Sequence, residues 1–179
     1  TNSVNYPNCD MGIAGEFPRL SICHKNIKNM LNQFTDIFTD EDINRACELV
    51  NADTFINKLE KRLDYEVEER GSNFSQGQRQ LMSFARTIVH NPNIIVLDEA
   101  TANIDTETEL IIQDSLNKMM SVGTMLIVAH RLSTVQYADK IIVLHKGKIR
   151  EIGNHQELLK KKGLYYSLYE LQYKNMDTQ

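Results

Sequence analysis

A short apolar run that ends in two acidic residues is the feature that most restricts what this chain can fold into. Residues 94–100 read Ile-Ile-Val-Leu-Asp-Glu-Ala, and a turn signal at residues 91–93 precedes them. A continuous run rich in β-branched residues predicts a strand covered on both faces, as in a parallel sheet. Because ligands of such sheets bind beyond the carboxyl ends of the strands, Asp98 and Glu99 are predicted to lie where a ligand binds.

Asp98 and Glu99 carry side chains that suit phosphate chemistry. A carboxylate such as Asp98 can hold Mg²⁺ together with phosphate oxygens. Glu99 can orient a water molecule or accept its proton during attack on a phosphoryl group. Taken alone, the stretch is explained equally well as a core strand followed by two solvated acids, so the surrounding segments must decide.

Length and composition are those of an ordinary soluble globular protein. The chain has 179 residues, 41% hydrophobic and 25% charged, which suits one domain with a core and room for a small subdomain. The net charge of -4 offers no broad basic surface for nucleic acid. No apolar run approaches the roughly 18–20 residues that cross a bilayer, and no signal-peptide pattern opens the sequence. Cys9, Cys23 and Cys47 form no Cys-x-x-Cys pair and are expected to be reduced, cytosolic thiols.

Residues 71–80 are small, polar and rich in amides, and they lead into apolar residues at helical spacing. Ser75 is predicted to cap this helix, and Gly77 leaves room for a close backbone approach. The start of a helix offers N–H groups and the positive end of the dipole, which together favour phosphate. An ordinary capped helix explains the same residues at least as well.

Other segments predict structure without predicting chemistry. A capping box at Thr39–Asp42 predicts the start of a helix, and Asp53–Thr54 is a plausible second cap. The acidic stretch Leu63–Glu69 is expected to be a loop with a solvated surface. Ile22–Met30 is expected to hold a short helix, and Met11–Ala14 is too short to predict a strand.

In the second half of the chain another predicted strand is directly followed by a polar residue, as in the first half. Thr106–Glu109 is a further capping box before a predicted helix, and residues 125–129 are the next buried-strand candidate, followed by His130. A lone histidine is more often structural than catalytic, but an imidazole placed here could hydrogen-bond a terminal phosphate. Two strands joined by a tight turn are predicted at Ile141–Leu144 and Lys148–Ile152.

Two helices are predicted at the end of the sequence. Asn154 is expected to cap the first, and the second follows Gly163 and is rich in tyrosine and leucine. Because aromatic side chains are mostly core residues, we expect the second helix to pack onto the domain rather than to bind a partner.

Four segments, in this order, resemble the motifs of the nucleotide-binding domain of ATP-binding-cassette (ABC) transporters, closest to the exporter type. They are Phe74–Gln78, similar to the signature motif LSGGQ; Ile94–Glu99, similar to Walker B with its adjacent glutamate; Asn103–Asp105, at the place of the D-loop; and Ala129–Ser133, similar to the switch-histidine segment. The match runs from about Thr39 to the C-terminus. It implies an α/β fold, a partial P-loop NTPase (ABC ATPase) core with a parallel sheet plus an α-helical signature subdomain.

The resemblance also implies a division of the chain. Residues 1–38 would be a divergent or degenerate N-terminal segment, and residues 39–90 a helical subdomain with the signature motif. Residues 91–179 would be the remainder of the catalytic core, with Walker B, the D-loop and the switch histidine. A parallel sheet that lacks its first strand and phosphate-loop helix would expose core surface, so poor solubility is expected.

In this family two such domains pair head to tail and bury two ATP molecules, with Mg²⁺, between them. The resemblance implies that Asp98 assists Mg²⁺, Glu99 polarises the attacking water and His130 contacts the γ-phosphate. It implies that Ser75, Gly77 and Gln78 face the ATP held by the partner, and that Gln76 and Asp105 are also cofactor-binding residues. Closing of the pair would drive a transmembrane domain, expected to be fused upstream, so the chain is expected at the cytoplasmic face of the membrane.

Two departures from the family pattern change what the resemblance implies. Phe74 and Gln76 stand where the signature usually has Leu and Gly, as in the subunit of heterodimeric exporters that keeps its catalytic Glu. The site at this chain's own Walker B would then be competent for hydrolysis. The ATP held by the partner, which the altered signature contacts, would be poorly hydrolysed. The pattern G-x-x-x-x-G-K-[ST] of Walker A does not occur in the sequence, and Glu16 is the nearest candidate for the Q-loop glutamine. A truncated, partial or degenerate copy that binds ATP weakly alone is therefore expected.

Three functions remain open at this point. The first is an ATP-binding and ATP-hydrolysing subunit of an ABC exporter, working with a second nucleotide-binding domain in a heterodimer. The second is a catalytically silent module that pairs with an intact nucleotide-binding domain and completes its site. The third, a cassette ATPase of DNA repair or chromosome maintenance, is disfavoured because the sequence has neither long coiled-coil insertions nor zinc-binding cysteines. No nucleic-acid partner is expected.

Overall fold

The computed structural model describes residues 11–14, 26–32, 37–98, 106–129 and 131–174, and these residues form helices, strands and short turns. The strands are β1 (Met11–Ala14), β2 (Ile94–Asp98), β3 (Thr124–Val128), β4 (Ile141–His145) and β5 (Lys148–Gly153). The helices are α1 (Ile27–Asn32), α2 (Asp40–Leu49), α3 (Asp53–Ile56), α4 (Gln76–Val89), α5 (Thr106–Met120), α6 (Leu132–Val135), α7 (His155–Lys161) and α8 (Leu164–Lys174). The chain divides into two compact units, residues 1–128 and 129–179. The domain boundaries predicted at residues 38 and 90 remain predictions.

A parallel sheet in the order β1-β2-β3 organises the first unit. β2 lies between the other two strands, and Asp98 at its carboxyl end lies opposite Val128 at the end of β3. The α/β fold with a parallel sheet and the two strands predicted on either side of α5 are therefore confirmed. β1, which was too short to predict, pairs with β2 from Met11 opposite Ile94 onward, because pairing rather than local propensity stabilises so short a strand.

Helices cover one face of this sheet. Ile95 and Leu97 of β2 are buried and pack with residues of α4 and α5. The largest buried apolar side chains that these two helices contribute are Leu81, Met82, Phe84, Ile112, Leu116 and Met119. The strand order explains this arrangement, because right-handed crossovers that step in the same direction across a sheet place their helices on the same face.

The opposite face of the sheet is exposed. Ile94, Leu126 and Val128 are 44%, 57% and 52% exposed, and the pairing register places all three on the face away from Ile95. The predictions that the strand at residues 94–97 is covered on both faces and that the strand at residues 125–129 is buried were therefore wrong for the described residues. The apolar residues of β2 do read as a doubly covered strand, but the described helices supply cover for one side only.

Capping explains where several helices begin. The predicted box at Thr39 is confirmed, since its Oγ1 accepts from the Asp42 amide at 3.2 Å while its own amide donates to Asp42 at 3.0 Å. The cap predicted at Asp53–Thr54 is wrong: α3 begins after Ala52, which makes no side-chain cap, and Thr54 Oγ1 instead donates to the Asn51 carbonyl at 2.7 Å. The box predicted at Thr106 involves side chains outside those described.

The second unit is an antiparallel hairpin, β4–β5, packed on two helices. The two strands and the turn between them are as predicted. Ile141 and Val143 of β4 are buried with Leu158 of α7 and Tyr165 of α8. Tyr165 is only 1% exposed, which confirms for this residue that the aromatic helix packs onto the protein. The predicted Asn154 cap of α7 is also present.

A carboxylate from β5 caps the start of α8. Both oxygens of Glu151 accept hydrogen bonds at 2.9 Å, one from the Leu164 amide and one from the Tyr165 amide. These are first-turn amides, which have no partner inside the helix. Gly163 makes the approach possible, because a Cβ at this position would lie 1.7 Å from Glu151 Oε1.

Replacement of Gly163 by Ala is expected to displace the Glu151 carboxylate rather than to break the fold, because the obstructed atom ends a flexible side chain. The loss should equal that of the cap, about 1–2 kcal/mol of unfolding free energy. Urea unfolding followed by circular dichroism measures it. Glu151→Ala should cost about as much, and the Glu151→Ala/Gly163→Ala double variant little more than either. Additive losses would contradict this account.

Candidate functional site

α4 begins with a reciprocal capping box at the segment that resembles the signature motif. The Gln78 amide donates to Ser75 Oγ at 3.2 Å, and the Ser75 amide donates to Gln78 Oε1 at 2.9 Å. The predicted Ser75 cap is therefore present. Ser75 and Gln76 are exposed while Gly77 is buried, so the positive end of a 14-residue helix meets solvent through Ser75 and Gln76.

The loop before this helix, residues 66–74, is held by its own side chains. Asn73 donates to the Glu66 carbonyl at 2.9 Å and accepts from the Glu68 amide at 3.2 Å. Ser72 Oγ donates to the Glu68 carboxylate at 2.9 Å. Each contact fixes the path of the backbone that leads to Ser75.

Arg79 ties the same loop to the first turn of α4. Its Nη1 donates to the Phe74 carbonyl at 2.6 Å and to the Gly71 carbonyl at 3.3 Å. Gly71 has φ +65°, in the left-handed region that favours glycine. A charged donor on two backbone carbonyls is stronger than a neutral one, so Arg79 positions the residue that precedes Ser75.

Phe74 anchors the loop in an aromatic cluster. Its side chain is 5% exposed, and its ring lies edge-on to Phe55 at 6.1 Å and to Tyr65 at 5.9 Å between centroids. Such pairs add to the free energy of burial. The Phe in place of the usual Leu therefore points inward and fills a space that its aromatic neighbours define.

Sequence reasoning missed Asn73 and Arg79 as residues that shape this site. Neither belongs to the five residues that resemble the signature, and both act on the backbone rather than on a ligand. One usable signal was the small and polar composition of residues 71–75, because a loop of this kind needs side chains to satisfy its carbonyls.

Asp98 is exposed at the carboxyl end of β2, opposite Val128 in the neighbouring strand. Its carboxylate is thus accessible at the edge of the sheet where ligands of such folds bind. An exposed carboxylate suits Mg²⁺, which is commonly held by one or two carboxylates and phosphate oxygens. Glu99, Asp105 and His130, the other predicted site residues, lie outside the described residues, so their roles remain predictions.

The described part of the chain holds no helix with the length and apolarity needed to cross a bilayer. The cysteine in that part, Cys47, is free and buried, and burial raises the pKa of its thiol to about 12. A thiol in this state is a poor nucleophile, so Cys47 serves as a core residue.

The α/β fold with a parallel sheet, the capped start of α4 at Ser75 and the acidic end of β2 at Asp98 are typical of the class of α/β nucleotide-binding proteins. Comparison with known families gives the particular group. A profile described as "ABC transporter" matches residues 13–102, half of the chain. The chain belongs to the ABC transporter family, and its fold is that of the family's ATPase domain.

Individual relatives agree with this assignment. The chain is 50% identical over 134 residues to "Probable multidrug resistance ABC transporter ATP-binding/permease protein YheH" of Bacillus subtilis, covering 75% of this chain and 20% of that protein. It is 52% identical over 135 residues to "Uncharacterized ABC transporter ATP-binding protein YknV" of the same organism, covering 75% and 22%. A solved bacterial Atm1-family ABC exporter with ATP bound matches with a TM-score of 0.77 and 34% identity, over 91% of this chain and 28% of that one. The chain thus spans between 20% and 28% of the length of these proteins.

Restoring the usual leucine at position 74 is expected to destabilise the protein. Phe74→Leu removes both ring contacts and leaves unfilled volume, at a cost of about 1 kcal/mol. Urea unfolding of the first unit, followed by circular dichroism, measures the loss. Gln76→Ala, at the exposed neighbouring departure, is the control and should change stability by less than about 0.5 kcal/mol. A Phe74→Leu variant as stable as the parent would show that the cluster does not select phenylalanine.

Proposed function

We propose that this chain is part of the ATP-hydrolysing subunit of an ABC exporter. The observation that carries the proposal is the exposure of two element ends, the start of α4 and the carboxyl end of β2. One end is a capped helix start with Ser75 and Gln76 exposed, suited to phosphate, and the other is the exposed Asp98 carboxylate, suited to Mg²⁺. Family membership supports the same reading, since relatives are named ATP-binding/permease proteins.

Within this proposal three residues act at the chain's own nucleotide. Asp98 would help to hold Mg²⁺, which neutralises phosphate charge when bound. Glu99, next in the chain, would orient the attacking water and accept its proton. His130 follows β3 by two residues and would hydrogen-bond the γ-phosphate. The register of the sheet supports this arrangement, because β2 and β3 end side by side at Asp98 and Val128.

The helix start would serve a second nucleotide, held by a partner domain. Ser75, Gln76, Gly77 and Gln78 would meet its phosphates, with Asp105 nearby. The first turn of α4 carries no acidic residue, so the positive end of the helix is not offset by a local carboxylate. Gln76 would place an amide side chain where the family usually has none, which supports unequal sites and a heterodimeric partner.

The exposed face of the parallel sheet fits an element that carries Walker A. A parallel sheet normally has helices on both faces, and Ile94, Leu126 and Val128 leave one face apolar and open. We propose that a strand and helix with the missing phosphate-binding pattern cover this face in the complete protein. A transmembrane domain on the same polypeptide, with this chain at the cytoplasmic side of the membrane, completes the proposal.

Exchange of Glu99 for Gln tests the enzymatic role. In the full-length protein we expect Mg-ATP hydrolysis to fall by about 100-fold or more while nucleotide binding persists, since loss of a general base costs a factor of 10²–10⁴. Phosphate release measures hydrolysis, and thermal stabilisation by ATP measures binding. Glu48→Gln, at an exposed acid on α2, is the matched control. Equal activity in Glu99→Gln and the parent protein would refute the role of Glu99.

Two substitutions at Ser75 separate capping from phosphate contact. Asp caps a helix about as well as Ser, and its charge suits the helix start, so Ser75→Asp should keep the melting temperature. Its carboxylate would repel phosphate, so hydrolysis by the paired domains should fall. Ser75→Ala should instead cost about 1 kcal/mol of stability. If Ser75→Asp hydrolysed ATP at the parent rate with an unchanged melting temperature, the phosphate would not bind next to Ser75.

The alternative is a catalytically silent module that completes the site of an intact domain. The absence of a Walker A pattern from the sequence favours it. The two functions differ in three measurements. A silent module would show no stabilisation by millimolar Mg-ATP and no hydrolysis sensitive to Glu99→Gln, yet it would change the hydrolysis rate of an intact partner domain.

A further inference from the structure

Two neighbouring side chains of α4 hold both polar groups of one peptide unit, the unit that joins Phe74 to Ser75. Its carbonyl oxygen accepts from Arg79 Nη1 at 2.6 Å, and its amide donates to Gln78 Oε1 at 2.9 Å. A peptide unit is planar and turns only as a whole. With both polar groups bonded it cannot rotate without breaking a hydrogen bond, so the direction in which the chain enters Ser75 is fixed. We call this arrangement the 74–75 clamp.

Arg79 contacts the backbone on both sides of the clamp. Its Nη1 also donates at 3.3 Å to the Gly71 carbonyl, which accepts the Phe74 amide at 3.0 Å as well. The backbone amide of Arg79 donates to the Ser75 carbonyl at 3.0 Å. Arg79 therefore touches Ser75 directly through its backbone and the residue before Ser75 through its side chain.

Helix stability does not explain a cation at this place. Arg79 is the fourth residue of α4, close to the positive end of the helix dipole, where a cation is unfavourable. In the part of the chain that the structure describes, no carboxylate forms an ion pair with Arg79, and the first turn of α4 carries no acidic residue. What the guanidinium contributes here is its hydrogen bonds to the loop that leads to Ser75.

The rest of that loop is held without Arg79. Asn73 bonds to two backbone groups earlier in the loop, and the ring of Phe74 is buried in its aromatic cluster. Neither contact involves the carbonyl of Phe74 or the amide of Ser75. Loss of the Arg79 side chain should therefore free one side of the 74–75 clamp while the loop stays in place.

We propose that Arg79 is a positioning residue, which aims the hydroxyl of Ser75 at the phosphate held by the partner domain. The inference rests on the proposed function, because Ser75 is assigned there to that phosphate. Ser75 Oγ accepts from the Gln78 amide at 3.2 Å, and its own hydrogen can donate to a phosphate oxygen. Arg79 touches no nucleotide in this scheme. It acts through the 74–75 clamp, which orients the donor before the ligand arrives.

Three single variants of the full-length protein, paired with its partner domain, test this role. Arg79→Met keeps the apolar stem of the side chain and removes every donor. Arg79→Lys keeps a charged donor that can reach the Phe74 carbonyl, although without the planar fork. Arg45→Met is the matched control, because the side chain of Arg45 on α2 is 74% exposed.

Arg79→Met should lower kcat for ATP about tenfold with KM nearly unchanged, because a misdirected hydroxyl weakens the reacting geometry more than nucleotide affinity. Arg79→Lys should recover most of this loss, and Arg45→Met should match the parent. A lower melting temperature of Arg79→Met with kcat unchanged would overturn the positioning role.

Combination with Ser75→Ala asks whether Arg79 acts through Ser75. In the Ser75→Ala protein, Arg79→Met should lower kcat by less than about twofold, because the hydroxyl that it aims is already gone. Losses that multiply instead would show that Arg79 acts independently of Ser75 and would overturn the inference.

Amide hydrogen exchange provides a readout that needs no hydrolysis. Arg79→Met should speed exchange in residues 72–78, which include the clamped amide, and leave the second half of α4 as in the parent. Unchanged exchange in residues 72–78, or faster exchange along all of α4, would overturn the clamp. A full-length parent protein that hydrolyses no ATP would refute the proposed function, and the exchange result alone would then decide whether Arg79 holds the 74–75 peptide.

Discussion

The handedness of the crossovers between β1, β2 and β3 is the constraint on which the first unit depends. Because both crossovers step the same way across the sheet, their helices share one face. Ile95 and Leu97 are buried on that face, and Ile94 and Val128 are exposed on the other. The same order brings the carboxyl ends of β2 and β3 together at Asp98. One topological rule thus accounts for the packed core, the open apolar face and the edge where a ligand can bind.

The two departures from the signature pattern differ in physical character. Phe74 is buried between Phe55 and Tyr65, so it affects the stability of the loop and no ligand can meet its ring. Gln76 is exposed at the first position of α4. Of the two, only Gln76 changes the surface that a phosphate would approach. Unequal nucleotide sites would therefore follow from Gln76 and not from Phe74.

Local signals in the sequence were sufficient where the interaction itself is local. The caps at Thr39, Ser75 and Asn154 each depend on residues three positions apart, and all three are present. The cap at Asp53–Thr54 failed because the Asn51 carbonyl takes the Thr54 hydroxyl. The apolar residues of a strand do not by themselves show whether one or both of its faces are covered by other elements. The position of Asp98 at the edge of the sheet was predictable because the apolar run of β2 gives way to an acidic residue where the strand ends.

α4 is the main element that connects Ser75 to β2, and so to Asp98 at the end of that strand. Arg79 fixes the loop before Ser75 to its first turn, and at its other end only residues 90–93 separate Val89 from β2. A helix of 14 residues is about 21 Å long and does not shorten. Any pull that a partner's nucleotide exerts on Ser75 must therefore move α4 as a unit or bend the short connection before β2. Communication between two nucleotides would run along this helix.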